Sequence, residues 1–549
     1  MPLRILLAAV AGLAVVARAE QRGPSSEPVD LSHYASVYYV DQQRGDDLRG
    51  NGSLEHPWAS LVVALESSGA TGATDRAAVL VSRGRYAQPT FVLKPRVDLF
   101  GGFAAPGGLR DVYAHATQLD GEDTFRIAIG ANDTRVDGFH FVRGRVHGKG
   151  AALLCDGSSP VIANCVFTHN RTLAPASWDP PSLHTTANDG GAVVCLNRAA
   201  PVFDRCYFFD NATECGRGGA MACDRQASPR ITGCVFVNNR AGLDDTMRSS
   251  DGGALSIFGG SRPEVVGNVV TANRALTQND SGGIFVALWS SPRIVGNVIV
   301  GNYGDDDAGG LFIGGQEHRY DRPLDTYPPA EKFNVIVERN VFVGNSHHST
   351  NSGAMRITME SRVRLAHNVI AANEGGVSIE RSEVTAERNT IWQDWRFLKG
   401  KMTPGPSRFF GNVLREPAGP IEGNVILSNN MIEAKVPGVF NVPLADIFEN
   451  DGVRGDITQI SYDPTTMTTH IVTGQPLPAA DYEGRPVCLG EKWDKGQWRV
   501  IKEASDNSMV LWGQLSRAVT HLPKHFEILR TFHLRPDSPA GLGAVPSNP

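Results

Sequence analysis

The chain reads as an all-β solenoid, and three observations predict it. First, a glycine pair followed by a short apolar run keeps returning: Gly190-Gly191-Ala-Val-Val-Cys, Gly218-Gly219-Ala-Met-Ala-Cys, Gly252-Gly253-Ala-Leu-Ser-Ile, Gly282-Gly283, Gly309-Gly310, Ser352-Gly353 and Gly375-Gly376. Second, Cys or Asn is followed two residues on by an apolar residue and three further on by Asn: Cys165…Phe167…Asn170, Cys206…Phe208…Asn211, Cys234…Phe236…Asn239, Asn268…Val270…Asn273, Asn297…Ile299…Asn302, Asn340…Phe342…Asn345 and Asn368…Ile370…Asn373. Third, Ser-Pro marks one corner (Ser159-Pro160, Ser228-Pro229, Ser291-Pro292). Self-similarity of this kind is the mark of stacked repeats. No segment keeps a 3.6-residue period for a dozen residues, so helical repeats are excluded.

Residues 1–19 have the order of a secretory signal: Arg4, the apolar stretch Ile5 to Val16, then Ala17-Arg18-Ala19 as cleavage site. Tyr38 to Asp41 opens the fold as a strand. Trp58 to Ser67 is predicted as a helix capping the open end of the stack. Val79 to Val81, Val97 to Gly102 and Val136 to Phe141 supply early coils, with a corner at Arg83 to Tyr86. Within the repeats, the Cys/Asn column steps by as few as 21 residues (Asn368 to Asn389) and as many as 43 (Asn297 to Asn340). About 20 residues suffice for one β-solenoid turn, so the excess leaves as loops. Stacked Asn side chains are expected to donate and accept along the column, satisfying backbone groups that a corner leaves unpaired. Residues 449–525 break the phrase and alternate like a small antiparallel β-domain, rich in Val, Ile, Thr and Trp. Phe532 to Ala540 reads as a terminal phrase, within a last segment spanning 526–549.

The 549 residues carry 52 basic and 58 acidic side chains. Removing the signal deletes Arg4 and Arg18, leaving 50 against 58, or −8. That balance, without basic runs, argues against nucleic acid as a partner. No apolar run after the signal is long enough to span a bilayer. The expected location is secreted, periplasmic or cell-surface. Seven of the eight cysteines fall between Cys155 and Cys234. Cys155, Cys195 and Cys223 share one column, and Cys165, Cys206 and Cys234 another. Neighbours in a column stand about 4.8 Å apart. Both buried thiols and disulfides remain open for them. No CxxC pair supports a zinc site.

At this point the chain resembles the right-handed parallel β-helix, or pectate-lyase-like, superfamily. The GGA and FxxN phrases are similar to those of polymorphic outer-membrane-type secreted bacterial proteins. The resemblance covers about residues 35–445 and implies a right-handed parallel β-helix solenoid, placed over 35–448; the small inserted antiparallel β-domain near the C-terminus follows it. Those relatives end in a membrane barrel, and nothing after Asn450 alternates like one. The best-known catalytic phrases of the superfamily do not occur here: Trp-x-Asp-His, Arg-x-Pro-x-x-Arg, Asn-Thr-Asp, Gly-His-Gly and Arg-Ile-Lys.

Loops between each FxxN asparagine and the next glycine pair occupy the same turn of successive coils, so they emerge along one edge. That edge is the predicted ligand surface, with Trp178, Asp189, Asp251, Asp280, Tyr303, Asp306 and Asp307 as binding residues. Asp280 and Asp307 precede glycine pairs in successive coils and would lie about 5 Å apart if in register. Paired carboxylates suit Ca²⁺, with Asp280, Asp305 and Asp307 as ligands, or acid–base work on a glycosidic bond. The bland alternative is that each Asp caps a turn. Arg217, Arg248, Arg356, His347 and His348 are the bases and uronate-neutralising groups that a lyase would draw on, beside Asp251, Asp280 and Asp307. The expected function is binding of extracellular or cell-surface polysaccharide along this edge, adhesive or scaffolding, with no cofactor or with Ca²⁺. A polysaccharide lyase or glycoside hydrolase on the same edge is the alternative, and a purely architectural surface protein a third.

Overall fold

The computed structural model describes residues 22–69, 72, 75–174, 188–242, 251–276, 281–315, 334–348, 352–393, 395–398, 406–415, 417, 425–428, 430–432, 440–441, 448, 451–490, 496–516 and 523–532. The expected signal segment lies outside them. The chain is a right-handed parallel β-helix with a closed six-stranded antiparallel barrel near its C-terminus. One coil runs through four short strands, for example Arg135–Asp137, Phe139–Val142, Arg145–His147 and Leu153–Asp156. Stacking of equivalent strands gives four parallel sheets, numbered 1 to 4 in that order. Among the described residues, sheets 1 and 2 hold 14 strands each, sheet 3 holds 7 and sheet 4 holds 11.

The repeating phrase is legible corner by corner. Sheet 1 passes to sheet 2 through one left-handed residue, such as Gly267 (φ 67°), Gly296 (φ 66°) or Arg339 (φ 54°). Sheet 2 passes to sheet 3 the same way, through Asp210 (φ 50°), Asn238 (φ 57°), Ala272 (φ 56°) or Gly301 (φ 65°). A left-handed residue reverses direction in one step, which glycine does most easily. An asparagine follows each of these corners and spans the gap between coils. Asn268, Asn297, Asn340, Asn368, Asn389, Asn412 and Asn430 form one line, each Nδ2 donating to the next Oδ1 at 2.8–3.0 Å. A second line runs from Asn170 through Asn211, Asn239, Asn273, Asn302, Asn345 and Asn373 to Gln393 at 2.7–3.0 Å. Both lines are buried almost throughout. The expected single ladder is therefore doubled, because each coil has two such corners. Cys234 leads into the first line by donating its backbone N–H to Asn268 Oδ1 at 2.8 Å.

The middle residue of the sheet 2 strands points into the interior, where it meets residues of sheets 1 and 4 such as Ile162 and Leu153. Phe141, Phe167, Phe208 and Phe236 stack in parallel with ring centres 4.6–4.7 Å apart, and Val270, Ile299, Phe342 and Ile370 continue the row. All eight cysteines are buried free thiols. Cys155, Cys195 and Cys223 pair in register in sheet 4. The N-terminal cap helix is shorter than expected, Leu61–Ser67, because the Ser60 side chain accepts from Val63 N and starts it there. Leu61, Ala64 and Leu65 cover the end of the core.

The central strands of sheet 2, such as Tyr207–Phe209 and Val298–Val300, are apolar on both faces because both faces are covered. The outer cover is the barrel. Its strands are ordered Val453–Asp463, Thr468–Thr473, Ser508–Trp512, Gln497–Ser505, Pro486–Leu489 and His525–Ile528. The closing strand thus straddles the expected 525/526 boundary. The barrel fills itself with Ile471, Val487, Ile501, Leu511, Phe526 and Ile528. Met467, Cys488, Trp498 and Trp512 pack outward against Tyr207, Val237, Val298 and Val343 of sheet 2. Tyr207 Oη donates to Met467 O at 2.9 Å. Between the two bodies runs the N-terminal segment: Arg22 Nε donates to Gly267 O and Gly23 N to Gly233 O. No described helix is long and apolar enough to cross a membrane.

One buried titratable group on sheet 2 gives a pH prediction. His140 is 6% exposed, and its ring Nε2 lies 2.8 Å from Val112 O, as a neutral donor. Burial holds its pKa down to about 4. The unfolded chain takes up this proton near pH 6.5, the native chain only near 4. Stability should therefore be complete above about 6.5 and decline by about 3 kcal/mol as pH falls towards 4. Denaturant melts of the wild type and of His140→Gln across this range check it; the variant should lose that part of the slope.

Candidate functional site

Sheet 3 carries the most ordered set of ligand-competent side chains. Its strands are Arg145–His147, Arg171–Leu173, Ala212–Thr213, Arg240–Ala241, Arg274–Ala275, Tyr303–Gly304 and Ser346–His347. Their register sets Arg145, Arg171, Ala212, Arg240, Arg274, Tyr303 and Ser346 in one column. The following positions Thr172, Thr213, Ala241 and Ala275 are fully buried, so the column faces outward. Arg240 pairs with Asp210 at 3.7 Å. Arg145, Arg171 and Arg274 have no ion pair among the described residues. The Arg274 guanidinium sits 5.0 Å from the Tyr303 ring centre. Tyr303 Oη donates to Asp305 Oδ1 at 3.0 Å, and burial together with that bond pushes the phenol up to about 12. It is a hydrogen-bond donor at any ordinary pH.

The loops expected to form the ligand edge thus begin as strands. Two or three residues after each of Asn170, Asn211, Asn239, Asn273, Asn302 and Asn345 belong to sheet 3, and only then does the chain leave the stack. Trp178, Arg248 and Asp280 lie outside the described residues. Asp189 is fully buried beneath this edge: its Oδ1 accepts from Arg217 N at 3.0 Å and Arg217 Nε at 3.3 Å, and its Oδ2 from Lys149 Nζ at 3.1 Å. Arg217 in turn lies 3.6 Å from the Phe258 ring centre and is 2% exposed. Asp251 is buried, and its backbone carbonyl accepts from Ser256 Oγ at 2.7 Å. Asp307 meets Arg356 at 2.9 Å, and Arg356 reaches Glu380 at 3.2 Å. Arg356 stands on the outer face of sheet 4, in register with Phe312 and Ser378. Asp306 is half-buried, His347 ends the last sheet 3 strand and His348 is exposed.

The predicted residues therefore gather into three groups: Tyr303 with Asp305, which Arg274 joins, Asp307 with Arg356, and Asp189 with Arg217. Among the described residues no three His, Cys, Asp or Glu side chains converge as a metal site. Asp305 and Asp307 face Tyr303 and Arg356 respectively, which gives no Ca²⁺ cage from those two alone. Arg145 and Arg171 escaped the sequence reading. The signal was present: Arg171, Arg240, Arg274 and Tyr303 each follow a ladder asparagine directly.

Residues 127–302 match the family model described as "Right handed beta helix region". No curated protein sequence matches the chain. Among solved structures, the chain is similar to a double mutant of the periplasmic alginate epimerase AlgG, at 10% identity and a TM-score of 0.27, over 66% of this chain and 84% of that one. It is also similar to a double mutant of the tailspike protein of E. coli bacteriophage HK620, at 10% identity and a TM-score of 0.22, over 83% of this chain and 87% of that one.

Proposed function

We propose that this right-handed parallel β-helix protein binds an acidic polysaccharide along sheet 3, in an adhesive or scaffolding role outside the cytoplasm. The observation that carries the reading is the arginine column. Coils rise by about 4.8 Å, comparable to the length of one sugar unit, so the adjacent pairs Arg145–Arg171 and Arg240–Arg274, with Ala212 between them, can meet neighbouring acidic sugars of one extended chain. Guanidinium groups match carboxylates in a planar, two-point fashion. Tyr303 adds a flat ring and a hydroxyl at the end of the row. A repetitive surface for a repetitive ligand is what a solenoid offers. Binding is favoured over chain cleavage because Asp189 and Asp307 are both ion-paired and largely shielded from solvent.

The test is retention of polygalacturonate and alginate, with dextran as neutral control, by the wild type and by the double variant Arg145→Ser and Arg171→Ser. The expected result is a loss of affinity of at least tenfold for the acidic polymers, steeper at low salt, and no retention of dextran. Equal retention of dextran, or an unchanged double variant, overturns the reading. Appearance of unsaturated or reducing ends during incubation would instead establish cleavage.

A further inference from the structure

Where the barrel meets sheet 3, the two bodies leave a cleft of about 460 Å³. That is within the range of small-molecule sites, about 300–1,000 Å³. The solenoid wall contributes Asp210, Asn238, Arg240, Arg274, Tyr303 and Ser346, and the barrel wall Gln497, Trp498, Arg499, Gln514 and Ser516. The unusual member is Arg499. It is only 6% exposed, yet its hydrogen bonds go to uncharged acceptors: Nη1 to Trp498 O at 2.8 Å, Nη2 to Gln514 O at 2.8 Å and to Gln497 Oε1 at 3.4 Å. Its Nε has no partner among the described residues. A buried cation is normally matched by an acid, because removing it from water is costly. Burial holds the Arg499 guanidinium down to about 10.

The cleft wall holds three arginines and one aspartate. Asp210 is shared between Arg240 at 3.7 Å and His169 at 3.4 Å. Arg274 and Arg499 are thus the cleft's cations without a carboxylate partner among the described residues. We infer that the cleft is a binding site for an anionic sugar, whose carboxylate or sulfate is received by Arg274 and Arg499 while Tyr303, Gln497 and Asn238 meet its hydroxyls. The inference rests on the polyanion reading for the kind of ligand, and it assigns a defined subsite that a chain lying along the column would enter at the barrel. Gly301 and Gly344 set the geometry: a Cβ there would stand 2.9 and 2.2 Å from Trp498, so only glycine lets the barrel seat this close to the solenoid.

The test is calorimetric titration of the full-length protein with galacturonate, glucosamine 6-sulfate, the neutral methyl ester of galacturonate and inorganic sulfate. Binding of galacturonate or of the sulfated sugar, with none of the neutral ester, is the expected result, and the tighter of the two names the anion. Arg499→Gln should weaken it at least tenfold. Because that residue is buried, exposed Arg274→Gln serves as second variant and should weaken it several-fold with folding intact by circular dichroism. Equal binding of the neutral ester, inorganic sulfate binding as tightly as either sugar, no binding at all, or an Arg274→Gln protein that binds as the wild type overturns the site. Loss of polymer binding in the Arg145 and Arg171 variant without any monosaccharide binding leaves the column reading standing and removes this one. Monosaccharide binding with no gain for the polymer does the reverse.

Discussion

Replacing Asn302 by Leu should destabilise the solenoid by on the order of 4 kcal/mol, although neither size nor burial changes much. Asn302 is fully buried in the middle of the second amide line. Its Nδ2 donates to Val270 O at 2.9 Å and Asn345 Oδ1 at 3.0 Å; its Oδ1 accepts from Asn273 N at 3.1 Å and Asn273 Nδ2 at 3.0 Å. Leucine removes all four bonds and strands the Asn273 backbone N–H in a corner closed to water. Such orphaned groups cost about 1–3 kcal/mol each. Chemical denaturation with an unchanged slope and a lowered midpoint is the expected signature. A loss below about 1 kcal/mol would mean that the neighbouring coils close over the gap and that the amide line is dispensable.

The second large effect is expected at Asp189. Substitution by Ala leaves Arg217 and Lys149 facing one another beneath sheet 3 with no anion between them, and breaking a buried pair in this way costs about 3–5 kcal/mol. Replacing Arg217 by Leu in the same chain should restore part of the loss, since the uncompensated charge then goes too. The comparison separates an interior role from a ligand-binding one. If Asp189→Ala left stability intact and lowered glycan affinity alone, Asp189 would belong to the ligand surface after all.

The solenoid was legible in the sequence because its physics is periodic. Each FxxN phrase encodes one inward aromatic or aliphatic residue and one corner amide, and the same requirement returns in every coil. The phrase carries both amides, Asn268 and Asn273 for example, yet it predicts only one ladder, because the period alone does not show that each coil turns twice at such corners. The small C-terminal β-domain was legible as a break in that period. Its docking was not, though sheet 2 carried the sign: Tyr207-Phe208-Phe209 and Val298-Ile299-Val300 are apolar at positions that a one-sided sheet would make polar. The site was harder. Polar loops look alike in a sequence, and acidic residues before glycine pairs drew attention that belonged to the residue after each asparagine. Asp189 and Arg217 are charged yet interior, which composition cannot reveal. Arg499 lies some 200 positions from Arg274 along the chain, and only the seating of the barrel on the solenoid brings them to one cleft.

The seating of Arg22 and Gly23 between solenoid and barrel has a consequence for biosynthesis. Gly23 lies against the Trp512 indole, so closely that a Cβ would stand 2.7 Å from it, and Gly484 lies beside the Arg22 guanidinium. Arg22 and Gly23 therefore acquire these neighbours only once the segment carrying Gly484 and Trp512 has been made. Until then the valine stripe on sheet 2 is bare, a sticky face of the sort that invites association between unfinished molecules. A prematurely terminated product ending near residue 450 would keep that face open for good, and quality-control proteases and chaperones would meet it as an incompletely matured species.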